Sequence, residues 1–94
     1  MYTKGEWYVE DRHTSLVVLC IPEGKDSPIV IADLDTSDCT LLEDEANAHL
    51  IAAAPKMYEA LKSAINILRL EGYQDDQRVL KSYIKALSKA DGGK

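Results

Sequence analysis

Six acidic residues lie between positions 33 and 45, and no basic residue lies among them: Asp33, Asp35, Asp38, Glu43, Asp44 and Glu45. Carboxylate oxygens at such spacing are ligands that hard cations prefer. A calcium loop that begins at Asp33 would need glycine at its sixth position and glutamate at its twelfth, where the chain has Asp38 and Asp44. We therefore predict no metal site. Helix capping and a solvated acidic edge explain much of the run, and a partner-binding surface is the functional alternative.

Groups that could act in catalysis are sparse. His13 falls in a predicted turn and His49 in a predicted helix, and neither has a cysteine or a second histidine nearby in sequence. Cys20 and Cys39 are too far apart to form a local metal-ligand or redox pair. The serines lack a nucleophile motif and the glycines form no phosphate-binding loop. We predict a protein that is not an enzyme and that uses no cofactor.

Aromatic side chains of the first predicted strand are the remaining candidates for binding. Strand alternation places Trp7 and Tyr8 on opposite faces, so one of them is expected to pack in the core and the other to be available for contact. Trp7 is included among the candidate binding residues, with Asp33, Asp35, Asp38, Glu43 and Asp44. An alternative function follows: a protein that sequesters a small ligand or nucleotide at a dimer interface, with Trp7 or Tyr8 and basic residues of the last helix.

Three segments that carry strand composition must position these residues. They are residues 6–10, 15–21 and 29–34, separated by turn residues. Their links are too short for a parallel crossover, so we predict an antiparallel meander with the middle segment in the centre. The middle segment, SLVVLCI, is apolar on both faces. Both faces of the sheet centre therefore need cover.

Helical periodicity begins after residue 40 and predicts three helices, at about 42–53, 55–71 and 76–89. Thr40 and Glu43 form a capping box at the start of the first helix. In that helix, Ala46, Leu50 and either Ala53 or Ala54 form a stripe of mostly small residues, which lets another element approach closely.

The helix boundaries rest on three local signals. Pro55 is predicted to begin the second helix, because proline lacks an amide and disfavours helical geometry in the residue before it. Gly72 supplies the left-handed stop of the second helix. Asp75 or Asp76 caps the third helix, whose outer side carries basic residues: Arg78, Lys81, Lys85 and Lys89.

Charge is divided unevenly along the chain. Residues 1–54 hold 3 basic and 11 acidic side chains, a net charge of -8, whereas residues 55–94 hold 8 basic and 5 acidic, a net charge of +3; the chain total is -5. An acidic domain is a poor ligand for phosphates, so we expect no direct nucleic acid binding. The acidic half can instead imitate a phosphate backbone and occupy a basic groove on another protein.

Length and composition limit the architecture and the compartment. The 94 residues, 46% of them hydrophobic, describe a single soluble domain over residues 1–90, with a frayed tail at 91–94. The N-terminus lacks the apolar stretch of a secretory signal, and uncharged runs fall well short of the roughly 20 residues that span a bilayer. We expect a cytoplasmic protein with no membrane contact.

Two segments resemble small uncharacterised accessory proteins of tailed phages and prophages. Residues 45–62, EANAHLIAAAPKMYEALK, resemble the signature E-A-N-A-R-L-I-A-A-A-P-E-L-L-E-A-L, and residues 3–9, TKGEWYV, resemble the start T-P-G-P-W-x-V. Lys4, Glu6 and His49 depart from these patterns. The resemblance carries over no functional residues. It implies the context of the host bacterial cytoplasm, where small phage accessory proteins often bind and disable a host system.

Together these features predict an α+β fold, a three-stranded antiparallel β-meander followed by three α-helices, with the second helix packed on the sheet. Two open edges and an incompletely covered sheet face predict a homodimer that forms through that face or an edge strand. The predicted function is a non-catalytic binding protein that inhibits a host bacterial protein or defence complex, of the anti-CRISPR or another anti-defence type, through its acidic surface. An uncharacterised structural or interaction module is a further alternative.

Overall fold

Three strands form one antiparallel sheet in the computed structural model of the chain, which describes residues 2–13, 15–34, 40–75 and 77–92. The strands are β1 (Gly5–Asp11), β2 (Leu16–Pro22) and β3 (Ile29–Leu34), and they lie in the order β1-β2-β3. Short links join neighbouring strands, as antiparallel pairing allows. The predicted meander with its middle segment in the centre is confirmed.

The central strand is buried on both faces. Leu16, Val18 and Cys20 alternate with Val17 and Leu19, and none of the five is more than 7% exposed. This double burial explains why β2 reads as a continuous apolar run. A single chain therefore covers both faces of β2, so the sheet centre offers no open face to a second copy. The homodimer itself stays a prediction.

A helix covers one face of the sheet. Leu16 and Val18 of β2 and Ala48 of helix α1 (Leu41–Leu70) form a buried cluster, against which Ile51 and Ala52 of the same helix also pack. Ala48, Ile51 and Ala52 belong to residues 42–53, which we predicted as the first helix. We had expected the second predicted helix, residues 55–71, to pack on the sheet instead. The stripe that we predicted to contact another element is solvent-exposed, and both alternatives for its last position are exposed as well: Ala46, Leu50, Ala53 and Ala54.

The prediction of three helices is wrong, because Pro55 lies inside α1 and the described residues contain two helices, α1 and α2 (Arg78–Ala90). An internal proline removes one backbone hydrogen bond and costs about 3 kcal/mol. However, Pro55 follows three alanines, the strongest helix formers, and no glycine stands near it to end the helix. The helix propensity of the residues around Pro55 therefore outweighs the local penalty of the proline, which we had expected to separate two helices.

The C-terminal end of α1 follows the sequence signal. Gly72 has a φ of 99°, and its amide donates to the carbonyl of Arg69 at 3.1 Å, while Tyr73 N–H donates to the carbonyl of Leu68 at 3.1 Å. These two bonds form a Schellman motif, and a residue with a side chain would be strained at the glycine position. The predicted glycine stop is confirmed.

The start of α2 differs from the prediction. Its N-cap is Gln77, which makes no side-chain cap hydrogen bond. Asp75 instead accepts two hydrogen bonds from the Arg69 guanidinium, at 2.7 and 2.8 Å, so its carboxylate does not cap the helix. Asp76, the other predicted cap, lies outside the described residues.

Backbone contacts divide the chain into two compact units, an N-terminal unit, Tyr2–Pro55, and a C-terminal unit, Lys56–Lys94. In the C-terminal unit, the second half of α1 and α2 form a helical hairpin, with Ile65 and Leu80 buried and the Tyr58 hydroxyl donating to the Asp91 carboxylate. Because α1 runs through both units, the division does not define two independent domains. The single domain stays a prediction.

Candidate functional site

The predicted acidic residues lie on β3 and at the start of α1. Asp33 is exposed on β3, where it pairs in register with Val17. Asp35 and Asp38 lie outside the described residues. Glu43 is exposed in the first turn of α1, whereas Asp44 is only 8% exposed. Of the predicted acidic residues that the structure describes, Asp33 lies on the surface, Glu43 lies in the first turn of α1 and Asp44 is buried.

Glu43 completes the capping box at the start of α1. The Glu43 amide donates to Thr40 Oγ1 at 3.1 Å, and the Thr40 amide donates to Glu43 Oε1 at 3.1 Å. The hydrogen bond from the Thr40 backbone, followed by that from its side chain, lowers the pKa of Glu43. The predicted capping box is confirmed. Glu43 thus stabilises the helix start, where a carboxylate also complements the helix dipole.

Asp44 occupies an interior position rather than a binding surface. Its backbone amide donates to the Thr40 carbonyl at 2.9 Å, which is the first hydrogen bond of α1. A buried carboxylate is ordinarily engaged by neighbouring polar groups, because desolvation of an isolated charge is unfavourable. Replacing Asp44 with lysine would consequently test folding rather than partner binding.

A small charge cluster on the sheet was not predicted from the sequence. Arg12 Nε donates to Glu10 Oε2 at 2.6 Å. This hydrogen bond and the Glu10 charge, with a smaller contribution from Asp33, raise the pKa of Arg12. Glu10 and Asp33 both pair with Val17 from opposite sides, so the register brings them to one face of the sheet. One guanidinium thus partly compensates two carboxylates, and the cluster keeps a negative charge.

Trp7 has a structural role. Its ring is half-buried and packs against the cluster of Leu16, Val18 and Ala48. The indole Nε1 donates to the Thr3 carbonyl at 3.0 Å, and the ring of Tyr2 lies edge-on at a centroid distance of 6.4 Å. The indole face and its polar atom are therefore both engaged within the chain.

The division of charge coincides with the division into compact units. Pro55, the last residue of the N-terminal unit, is uncharged, so the N-terminal unit has the net charge of -8 and the C-terminal unit the +3. In the N-terminal unit, Glu6, Asp33 and Glu45 are exposed. In the C-terminal unit, the basic residues of α2 are exposed, and none has an ion pair with a described residue: Arg78, Lys81, Lys85 and Lys89.

The two histidines occupy unrelated positions. His13 lies in the link between β1 and β2 with a φ of 68°, and its backbone amide donates to Asp11 Oδ1 at 2.8 Å. His49 is exposed on α1. Within the described ranges, no group of three or more His, Cys, Asp and Glu residues is placed to hold a metal ion.

Neither α1 nor α2, within the described residues, combines the length and the apolar character that crossing a membrane requires.

Comparison with known proteins finds a matching family. The family described as Salmonella phage P22 protein Y8K6 matches residues 1–94. No curated protein and no solved structure matches the chain. The family description names a phage protein, which agrees with the phage context that residues 45–62 implied. It covers the chain as a whole and does not test that signature by itself.

Proposed function

The chain belongs to the Salmonella phage P22 protein Y8K6 family, and we propose that it is a non-catalytic accessory protein that inhibits a host bacterial protein through its acidic unit. It would act in the host cytoplasm, on a nucleic-acid-handling or defence complex. The observation that carries this proposal is the net charge of -8 within one compact unit, residues 2–55. Such a surface is complementary to a basic groove that otherwise holds a phosphate backbone.

The exposed acids of the N-terminal unit supply the contact surface. By strand alternation, Glu6, Glu10 and Asp33 share the sheet face opposite Trp7. Glu45 is exposed in the second turn of α1, within the segment that resembles the phage signature. Glu43 and Asp44 are set aside, because one caps α1 and the other is buried. Trp7 is likewise set aside, since its ring packs against the core.

The experiment is capture of a host protein by the immobilised chain from a bacterial lysate, with mass spectrometry of the bound fraction. The variant Asp33→Lys/Glu45→Lys reverses two exposed acids of the N-terminal unit. The matched control, Glu59→Lys/Glu71→Lys, makes the same chemical change at two exposed acids of the C-terminal unit. Circular dichroism checks that both variants fold.

We expect the wild type and the control to capture the same host protein, and the Asp33→Lys/Glu45→Lys variant to capture at least about tenfold less, because like charges would then meet across the interface. Equal capture by both variants would refute the assignment of the acidic surface. Failure of the wild type to capture any host protein would refute the proposed function.

A further inference from the structure

Polar and apolar residues are fully separated around α2. Six side chains that donate hydrogen bonds lie on one side of this helix, all within about 60° of Lys85 around the helix axis. We call this side the donor face, and all six of its residues are exposed: Arg78, Lys81, Ser82, Lys85, Ser88 and Lys89. The other seven residues of α2 are apolar or aromatic, and among them Leu80 is buried and Ile84 and Leu87 are half-buried. The apolar side therefore carries the packing of α2, whereas the donor face lies in solvent.

The donor face is positively charged and carries no carboxylate. Four of its six residues are basic, and none of the four forms an ion pair with a residue that the structure describes. The described acids that flank α2 are engaged elsewhere. Asp75 accepts hydrogen bonds from Arg69, before the helix. Asp91, after the helix, accepts one from the Tyr58 hydroxyl. These two acids therefore leave the charge of the donor face uncompensated.

The net charge of the whole chain does not describe this face. We expected no direct nucleic acid binding because the chain is acidic, but the acidic excess belongs to residues 1–54, and the C-terminal unit has a net charge of +3. Attraction of a polyanion depends on the local distribution of charge, because salt at about 0.1 M screens exposed charges that are more than about 10 Å apart. A basic binding face is therefore compatible with a chain that is acidic overall.

We infer that the donor face of α2 binds the phosphate backbone of a nucleic acid without reading its sequence. Phosphate oxygens accept hydrogen bonds, and every residue of the donor face can donate them. From Arg78 to Lys89 the face is about 16 Å long, which matches about five nucleotides of one strand at about 3.4 Å each. The face thus offers nearly one basic residue for each phosphate. This binding activity goes beyond the proposed inhibition of a host protein.

The composition of the donor face favours nucleic acid over two other anionic partners. Lysine is depleted at protein–protein interfaces, whereas three of the four basic residues are lysines, which bind phosphate as point charges. A helix that binds a lipid surface buries its large apolar side chains there, but Leu80 is already buried within the protein. Ser82 and Ser88 add neutral donors of the kind that phosphate backbones engage.

Fluorescence anisotropy of a labelled DNA duplex of about 20 base pairs, titrated with the purified chain at several salt concentrations, tests this inference. Four phosphate contacts predict a slope of about -3.6 when log K is plotted against log salt concentration, because each contact contributes about -0.9. Lys81→Gln/Lys85→Gln should reduce the slope to about -1.8 and weaken binding on the order of 100-fold at about 50 mM salt. Glutamine has the helix propensity of lysine, so this variant keeps the helix.

Lys25→Gln/Lys56→Gln is the matched control, because it removes the same two charges at exposed lysines outside α2. Its slope is expected to stay at about -3.6. A wild type that binds no duplex at about 20 mM salt would overturn the inference. Equal slopes for the control and the α2 variant would overturn it too.

Competition distinguishes nucleic acid from the other anionic partners. Polyglutamate and vesicles of phosphatidylserine are each added to the bound duplex at the same concentration of negative charge as an unlabelled duplex. We expect the unlabelled duplex to displace the label at a concentration at least about tenfold lower. Equal displacement by polyglutamate or by the vesicles would overturn the inference in favour of an acidic protein or a lipid surface. No host lysate enters these measurements, so they are separate from the capture experiment.

Discussion

Gly5→Ala is expected to destabilise the protein far more than Gly24→Ala, although both glycines have positive φ angles, 140° and 76°. A β-carbon at Gly5 would lie 2.1 Å from the backbone oxygen of Ile21, whereas a β-carbon at Gly24 would meet nothing within 4 Å. Positive φ costs a residue with a side chain roughly 1–2 kcal/mol at either position. At Gly5 the clash adds to this, because a neighbouring backbone cannot rotate away as a flexible side chain can.

The β1–β2 ladder would have to open by about 1.3 Å at Gly5, from 2.1 Å to the 3.4 Å at which ordinary contact begins, and this disrupts the hydrogen bond from Glu23 N–H to the Lys4 carbonyl. We therefore expect a loss of about 3 kcal/mol or more for Gly5→Ala and about 1 kcal/mol for Gly24→Ala. Urea denaturation measures both values, as a lower midpoint with an unchanged slope. Equal losses at the two positions would refute the close approach of β1 and β2 at Gly5.

Leu80→Ala should cost about 2–5 kcal/mol in urea denaturation because Leu80 is fully buried, whereas Leu70→Ala, at 88% exposed, should change stability by less than about 0.5 kcal/mol. Hydrogen bonds lower the pKa of both Glu43 and Asp75, so their contribution is present above the unfolded-state pKa and is lost as pH falls through the folded-state pKa. Glu43→Gln/Asp75→Asn should therefore flatten the loss of stability in acid; an unchanged pH profile would contradict this account.

Local signals in the sequence predicted local structure. The capping box pairs Thr40 with Glu43, three residues away, and the helix stop needs only a glycine at position 72. Because both motifs are short, the spacing of residues in the sequence was enough to predict them. The meander followed from link lengths for the same reason. Pro55 misled the prediction, because its penalty is local but the continuity of α1 depends on the propensity of the flanking residues.

The candidate site depended on tertiary information that spacing does not contain. Asp44 is the middle one of three consecutive acidic residues, and nothing in the sequence distinguishes it from the other two. Its burial depends on the tertiary packing around it. The pairing of Arg12 with Glu10, beside Asp33, depends on the register of three strands. The first half of α1 illustrates the same limit, since periodicity identified an apolar stripe there but did not decide which side of the helix the sheet covers.

The salt dependence of binding to the captured host protein tests the acidic surface most directly, because salt screens attraction between exposed charges. The account predicts that the affinity of the wild type falls steeply as the salt concentration rises, and that the Asp33→Lys/Glu45→Lys variant loses most of this dependence. An affinity that stays constant as salt is added, or a variant with the same salt dependence as the wild type, would contradict the account.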